Sequence, residues 1–249
     1  MKTLCITGAT TGIGAALARR IPRNGDRVFL HYHANRERSS RLAEELSIAG
    51  IETTIVQADF ATDPDGATRD LASAIAEQTD SVDILINNAG GIIERRTVAE
   101  ADFRVVTETI NLNLVAPMML ATYLFPLLKN AADGSGRADV VNITSIAARS
   151  GSPTSTPYGA AKAGLENFTR GFAKEAGPGI RVNSVSPGVI DTPFHHGTTP
   201  KEQMDAWLAN TPVGHHGKPE DIAEAVAFVL AGDFMSGAVV PVNGGFQMI

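Results

Sequence analysis

The order of strand-like and helix-like segments is the feature that most constrains how this chain folds. Short apolar runs, rich in β-branched residues, occur at 3–7, 27–33, 53–57, 82–86, 138–143, 180–185 and 238–242. Helical patterns separate them, at 38–49, 65–78, 102–129, 158–176 and 219–230. Strands that alternate with helices form a parallel sheet covered by helices on both faces. We therefore expect one α/β domain over residues 1–249 with a doubly wound parallel sheet.

A glycine-rich turn follows the first predicted strand. Gly8, Gly12 and Gly14 come directly before the helical pattern of residues 15–21. Glycines let a backbone approach a pyrophosphate, and a helix N-terminus offers free N–H groups. A tight connection would use glycine too, and the spacing differs from G-x-G-x-x-G. Its position nevertheless predicts a dinucleotide site, with contacts from Gly8, Thr10, Thr11, Gly12 and Ile13.

The end of the second predicted strand bears on which dinucleotide is bound. A carboxylate there would accept a hydrogen bond from the ribose 2′-hydroxyl of NAD. The first carboxylate after this strand is Glu37, which follows His33, Asn35 and Arg36. We predict that Arg36, with His33, contacts a 2′-phosphate and that Asn35 is a further cofactor contact, so NADP(H) is preferred and NAD(H) is the alternative. Arg36 could instead be a solvated residue at the start of a helix.

Three polar residues near the middle of the chain form a candidate catalytic group. Pro157 begins a predicted helix, and Tyr158 and Lys162 lie four residues apart on one of its faces. A nearby ammonium should lower the tyrosine pKa from about 10, which would prepare it for proton transfer. Ser145 follows the strand at 138–143 and could hold a substrate oxygen beside Tyr158. An exposed tyrosine and a solvated lysine would show the same spacing.

Several polar segments follow predicted strands directly. Ligands of such sheets bind beyond the carboxyl ends of the strands. The glycine-rich turn, Asp59, Asn88, Ser145 and the segment from Pro187 to Thr192 all lie at such ends. The sequence therefore predicts that they share one site.

With these motifs assembled, the whole chain resembles the classical short-chain dehydrogenase/reductase family, and in particular its 3-oxoacyl-[acyl-carrier-protein] reductase-like members. The matching residues are Thr7-Gly8-x-x-x-Gly12-Ile13-Gly14, Asn87-Asn88-Ala89-Gly90, Asn113, Ser145, Tyr158, Lys162, Pro187-Gly188, Thr192 and Pro241-Val242-Asn243-Gly244-Gly245. The family commonly has aspartate at the position of Asn243. We do not interpret this difference as a loss of catalysis.

The resemblance implies a Rossmann-like fold and a set of catalytic roles. Tyr158 would give a proton to the carbonyl oxygen during reduction, or remove it during oxidation. Ser145 would polarise the carbonyl, and Lys162 would lower the tyrosine pKa and bind the nicotinamide ribose. Asn113 would hold a water that links Lys162 to solvent. Asn111 lies two residues away, and Asn113 could instead be a polar residue that bends the helix.

The resemblance also implies further cofactor contacts and an assembly. Asp59 would contact the adenine side, and Ile190 and Thr192 the carboxamide. The other expected contacts are Phe60, Asn88, Ala89, Gly90, Pro187 and Gly188. A homo-tetramer, or a dimer, would form through the helices of Asn113 and Tyr158. The small residues of the Tyr158 helix could instead pack inside one subunit.

The resemblance leaves the substrate and the reaction class open. The two leading candidate activities are a 3-oxoacyl thioester reductase and a polyol or sugar dehydrogenase. Steroids are a further possible substrate class. The segment HYHAN also resembles pteridine-reducing relatives. Two other functions are alternatives: a non-catalytic nucleotide-sensing regulator, and an epimerase or dehydratase with tightly held cofactor.

Composition excludes several kinds of partner and site. The net charge of −6 argues against nucleic-acid or anionic-membrane surfaces. The most apolar segment, Leu112 to Leu128, contains Asn113, Pro117 and Pro126, which is atypical of a membrane span. A single cysteine, Cys5, excludes an internal disulfide, and we expect a cytoplasmic protein with Cys5 in its core. The paired histidines do not form a metal-ligand pattern, so we predict no metal.

Residues 193–212 interrupt the strand–helix alternation and contain Trp207. We interpret this segment as a flexible lid over a small carbonyl or alcohol substrate. His195 or His196 would contact that substrate. The alternative is a plain surface insertion.

Overall fold

A parallel sheet forms the centre of the molecule. The computed structural model describes residues 1–195 and 199–247, and its sheet has the order β3-β2-β1-β4-β5-β6-β7. The strands are β1 Thr3–Ile6, β2 Arg27–Tyr32, β3 Glu52–Gln57, β4 Ile84–Asn87, β5 Ala138–Ile143, β6 Ile180–Pro187 and β7 Val239–Val242. Every pair of neighbouring strands is parallel. The expected single α/β domain with a doubly wound, Rossmann-like parallel sheet is confirmed.

Helices cover both faces of this sheet. They are α1 Gly12–Arg20, α2 Arg36–Ile48, α3 Pro64–Ala76, α4 Phe103–Ile110, α5 Ala116–Ser135, α6 Ala147–Ser150, α7 Thr156–Glu175, α8 Lys201–Ala209 and α9 Pro219–Ala231. Side chains of a strand alternate between its faces. In β1, Leu4 and Ile6 therefore pack in the core with α1, α2 and α9. Cys5 packs in the opposite core with α3, α5 and α7.

Short polar side chains begin several of the helices. Asn35 accepts a hydrogen bond from the Arg38 amide, Asp63 from that of Gly66, and Asp102 from that of Val105. Such caps satisfy backbone N–H groups that have no partner inside the helix. The cap at Asn35 explains why α2 begins at residue 36 rather than at residue 38 as predicted.

The long helix predicted over 102–129 is divided in the structure. A π-helical turn, Asn111–Val115, separates α4 from α5. The helix also continues to Ser135, where Gly136 ends it with φ +82°. The short helix α6 was not predicted, because four residues carry no detectable periodicity.

The stretch Phe103–Ser135 is long and apolar enough to cross a membrane by length and composition. In the fold, its residues Leu120, Leu124 and Leu128 are fully buried in the core beneath the sheet. Packing against the sheet therefore accounts for these three leucines, while 33% of the apolar window is buried. Cys5 is likewise fully buried as a free thiol, as the sequence predicted.

Candidate active site

A cavity of about 770 Å³ lies beyond the carboxyl ends of the strands. The strand order reverses between β1 and β4, and such a switch point opens a crevice for ligands. Nearly all of the residues assigned from sequence line this cavity. They are Gly8, Thr10, Thr11, Gly12, Ile13, His33, Asn35, Asp59, Phe60, Asn88, Ala89, Gly90, Ser145, Tyr158, Lys162, Pro187, Gly188, Ile190 and Thr192. Arg36 and Asn113 are not part of the wall.

The glycine-rich turn forms a close-packed cradle at the start of α1. Gly12 has φ +52°, and a Cβ there would lie 3.1 Å from Cγ2 of Thr192. A Cβ on Gly14 would lie 2.0 Å from the Gly8 carbonyl oxygen. Thr11 precedes α1 without a side-chain cap, so the first N–H groups of the helix face the cradle rather than a hydroxyl. Backbone N–H groups at a helix start suit a pyrophosphate, and the residues present fit a dinucleotide cofactor.

The cradle is held by the end of β4. Oγ1 of Thr7 accepts hydrogen bonds from the amides of Asn88 and Ala89, each at 2.9 Å. Nδ2 of Asn88 donates to the carbonyl oxygens of Thr7 and Gly8 at 2.9 and 3.0 Å. These bonds fix the turn after β1 against β4.

Ser145, Tyr158 and Lys162 meet on one side of the cavity. Ser145 lies two residues after β5, and Tyr158 and Lys162 lie in the first two turns of α7. Ser145 and Tyr158 both line the cavity, and the side chain of Ser145 acts to lower the pKa of Tyr158. Nζ of Lys162 donates to the Ile143 carbonyl at 2.9 Å and lies 5.7 Å from the centre of the Tyr158 ring. The structure therefore brings together the three residues that the spacing singled out.

The pKa of Tyr158 is raised in the structure, whereas a lowering by Lys162 was expected. Burial raises the pKa of Tyr158, and the hydrogen bond from Ser145 and the positive charge of Arg95 oppose that rise. Burial also lowers the pKa of Lys162 to about 8. Because the ammonium points at the Ile143 carbonyl, it contributes less to the phenol than its spacing suggests. Ser145 and Arg95 are the residues that favour the phenolate.

Asn113 lies behind Lys162, in the π-helical turn. Its Nδ2 donates to the carbonyls of Gly91 and Thr109 at 2.8 and 2.9 Å, and its Oδ1 accepts from the Gly91 amide at 3.1 Å. A Cβ on Gly90 would lie 2.8 Å from Oδ1 of Asn113 and 2.9 Å from Nζ of Lys162. Asn113 is therefore contiguous with the lysine. Its proposed water-holding role stays a prediction.

Asn111, the alternative to Asn113, forms a hydrogen bond to a different loop. Its Nδ2 donates to the Ala61 carbonyl at 2.9 Å, beside α3. A π-helical turn often marks a functional site, because the extra residue redirects side chains. Here it lets two asparagines, two residues apart, reach different loops.

The end of β2 is more open than the rest of the site. His33 is 69% exposed, and its Nε2 lies 3.9 Å from Oδ2 of Asp59. The Asn35 side chain is engaged in capping α2, and Arg36 is exposed in the first turn of that helix. The structure thus places His33 and Asn35 on the cavity wall, with Arg36 just outside it.

The segment predicted to be a lid covers the other end of the cavity. Phe194, His195, Gln203 and Trp207 line the cavity, and the last two belong to α8. The helix was not predicted within this segment. His196 lies outside the described residues. Within the described ranges, no group of three or more His, Cys, Asp or Glu side chains is arranged to hold a metal ion.

Comparison with known proteins identifies the family. A family model described as enoyl-(acyl carrier protein) reductase matches residues 8–247. The 3-oxoacyl-[acyl-carrier-protein] reductase of Pseudomonas aeruginosa is 35% identical, over 99% of this chain and 98% of that protein. The chain belongs to the short-chain dehydrogenase/reductase family.

Two solved structures of similar proteins carry different nicotinamide cofactors. The Pseudomonas aeruginosa RhlG/NADP active-site complex is 31% identical with a TM-score of 0.86, over 98% of this chain and 96% of that chain. The NADH-dependent reductase A1-R′ complexed with NAD is 30% identical with a TM-score of 0.85, over 100% and 97% of the two chains. This short-chain dehydrogenase/reductase is an NAD(P)-dependent oxidoreductase that interconverts ketones and alcohols.

Sequence reasoning missed one residue in the wall of this short-chain dehydrogenase/reductase. His31 is buried in β2, and its Nδ1 accepts a hydrogen bond from the Gly8 amide at 3.1 Å. Its Nε2 lies 3.1 Å from the Ala58 carbonyl, and its ring stacks on Phe60 at 4.1 Å. An amide donor at Nδ1 requires the proton to be on Nε2. The available signal is a histidine inside an apolar strand, two residues before the exposed His33.

Proposed function

We propose that this protein reduces a ketone, or oxidises a secondary alcohol, with Tyr158 as the general acid or base. The observation that carries the proposal is that Ser145, Tyr158 and Lys162 line the same cavity as the glycine-rich cradle. The cofactor, when bound, supplies or accepts the hydride. Tyr158 gives a proton to the carbonyl oxygen during reduction and takes it back during oxidation. One hydride and one proton thus convert the carbonyl to CH–OH.

The neighbouring residues have supporting roles in this proposal. Ser145 orients the carbonyl oxygen through its hydroxyl, which already meets Tyr158. Lys162 holds the nicotinamide ribose, and its buried ammonium beside Asn113 completes a polar path behind the tyrosine. Pro187, Gly188, Ile190 and Thr192 flank the cradle at the carboxyl end of β6, where a carboxamide would be held. Asp59 and Phe60 flank the adenine end.

We propose NADP(H) as the preferred cofactor. In the described chain, no carboxylate side chain follows β2 before Glu37, so an acceptor for the 2′-hydroxyl of NAD is missing there. Arg36 is exposed at the start of α2, within a side-chain length of the cavity rim formed by Asn35. A guanidinium suits a phosphate because its N–H groups form a planar fork.

The Arg36→Ala variant tests this preference. Loss of a charge-assisted hydrogen bond is expected to weaken NADPH binding by about tenfold or more while NADH binding changes little. Calorimetric titration of each cofactor measures this. Arg41→Ala, one turn further along the exposed face of α2, is the matched control. Equal losses for NADPH and NADH would remove the phosphate assignment.

For the substrate we propose a 3-oxoacyl thioester or a similar ketone, with a polyol or sugar alcohol as the alternative. The similarity to a 3-oxoacyl-[acyl-carrier-protein] reductase supports the first class. The test is a panel of ketones incubated with cofactor deuterated at C4 of the nicotinamide. Deuterium at the new carbinol carbon identifies a substrate. Binding of cofactor with no label transfer to any ketone would favour a nucleotide-sensing regulator.

We propose a homo-tetramer, or a dimer, located in the cytoplasm. Phe103 of α4 is 85% exposed, and Met118 of α5 is 37% exposed. These apolar side chains suit a second copy of the chain. Gly159 and Gly164 do not serve such an interface, because a Cβ on them would meet Ala147 and Leu114 of the same subunit at 3.0 and 2.9 Å. Their small size is therefore used inside one subunit.

A further inference from the structure

The substrate end of the cavity contains a cation that the proposed chemistry does not use. Arg95, on the loop between β4 and α4, is half-buried and lines the cavity. Burial lowers the pKa of its guanidinium, so its placement there costs solvation energy. Its charge lowers the pKa of Tyr158, which places it within electrostatic reach of the proton donor.

The adjacent arginine, Arg96, lies in different surroundings from Arg95. Arg96 is exposed, pairs with Glu94 and does not line the cavity. Its backbone amide also donates to the Thr154 carbonyl at 2.7 Å. Two neighbouring arginines therefore point to different surroundings, and one of them faces the site.

Arg95 contacts a hydroxyl of the segment above the cavity. Its Nη2 donates to Oγ1 of Thr199 at 3.0 Å, and Nδ1 of His195 lies 3.2 Å from the same oxygen. Guanidinium and imidazole groups thus converge on one oxygen. A guanidinium has five N–H donors in a planar fork, which match the two oxygens of a carboxylate.

An aromatic side chain lies next to the residues that Arg95 contacts, and acidic side chains are sparse among the described residues of the wall. Phe194 stands between Tyr158 and His195, with ring centres 6.1 and 4.9 Å away. Among the described residues that line the cavity, Asp59 is the single acidic one, and it lies at the β3 end beside His33. An anion near Arg95 would therefore meet positive potential and weak screening by water.

We propose that Arg95 binds a carboxylate of the substrate, so that the enzyme acts on oxo acids and the matching hydroxy acids. Nη2 of Arg95 donates to Thr199 in the segment above the cavity rather than to Tyr158. The guanidinium therefore stands off from the reacting oxygen, and the carboxylate lies some carbons away from the ketone. The inference rests on the proposed ketone–alcohol chemistry and narrows its substrates to acids.

A matched substrate series tests this assignment. The probes are 4-oxopentanoate, 5-oxohexanoate and 6-oxoheptanoate, each compared with its own methyl ester. For the best acid, kcat/KM is expected to exceed that of its ester, and Arg95→Ala is expected to reduce this acid-to-ester ratio by about 10- to 100-fold. Removal of the charge also alters Tyr158, but it does so for acid and ester alike, and the ratio cancels that effect. Arg96→Ala is the control and should keep the wild-type ratio.

The outcomes separate this inference from the proposed function. The carboxylate assignment would be overturned if the acid-to-ester ratio of kcat/KM were the same in wild type and Arg95→Ala, or if the wild type preferred esters. Turnover of the esters would in either case uphold the proposed ketone–alcohol chemistry. If no ketone in the series is reduced, calorimetry measures the binding of the corresponding hydroxy acids in the presence of NADP⁺ and tests the carboxylate assignment. Weaker binding to Arg95→Ala than to Arg96→Ala supports the assignment, and equal binding contradicts it.

Discussion

His31 shows how a single buried side chain can hold a cofactor loop. Its Nδ1 receives the Gly8 amide, so the imidazole must be neutral while that bond exists. Burial lowers the pKa of His31 to about 4, because the interior disfavours the charged ring. The unfolded chain, by contrast, takes up this proton near pH 6.5. Protonation in the folded protein would place a second donor against Gly8.

This difference predicts a loss of stability in mild acid. Between about pH 6.5 and pH 4 the unfolded chain binds the proton and the folded chain does not, so the free energy of unfolding falls as pH falls through that window. The contribution of His31 is on the order of 3 kcal/mol at the low end. Urea titrations of wild type and His31→Gln at pH 7 and pH 4.5 measure it.

His31→Gln should show a smaller decrease between the two pH values than wild type. His215→Gln, at an exposed position, is the control and should resemble wild type. The same decrease in His31→Gln and wild type would mean that His31 does not carry the acid sensitivity.

At the residue scale, sequence reasoning succeeded where chemistry is local. Tyr158 and Lys162 share a helix, so their spacing is enough to place them together. His31 and Gly8 meet across two strands, and no local pattern reports that contact. The same holds for Arg95, whose orientation depends on how the loop after β4 folds against α8.

Helix α7 carries Tyr158 and Lys162, and a buried polar chain fixes it to the sheet. Nδ2 of Asn142, in β5, donates to Oγ1 of Thr169 at 2.9 Å, and that hydroxyl lies 2.7 Å from Oγ of Ser184 in β6. All three side chains are fully buried. The position of the catalytic helix is therefore set by hydrogen bonds as well as by apolar packing.

The Thr169→Val variant tests this anchoring. Valine keeps the shape but leaves the Asn142 and Ser184 groups without their shared partner, which is expected to cost about 1–3 kcal/mol of unfolding free energy. Denaturant unfolding measures the loss. Thr122→Val is the matched control, because its exposed hydroxyl also donates to the carbonyl four residues earlier, as Thr169 does. Equal small effects in both variants would show that the buried chain contributes nothing to α7.

At the element scale, the hardest boundary to predict was the division between α4 and α5. Apolar periodicity continues through residues 103–129, so the pattern predicts one helix. The π-helical turn arises because Asn113 bonds to Gly91, a residue on another loop. Long-range polar contacts of this kind leave no periodic signal.

At the scale of the whole molecule, the alternation of segments was sufficient to predict the parallel sheet and the edge that holds the site. Parallel strands need crossover helices, and all of their carboxyl ends meet at one edge. The order of the strands was not predicted, because periodicity does not say which strands are neighbours. We predict that substrate identity depends on residues 92–95, 147–154 and 193–212, where the sequence has no convergent chemical pattern.

The central claim is that Tyr158 transfers the proton during hydride transfer. Its most direct test is a single-turnover experiment with cofactor-saturated wild type and Tyr158→Phe, using a ketone identified by label transfer. Tyr123→Phe, on the exposed face of α5, is the control. Tyr158→Phe is expected to bind cofactor as wild type does but to transfer hydride about 10²- to 10⁴-fold more slowly. A Tyr158→Phe variant that transfers hydride at the wild-type rate would contradict the account.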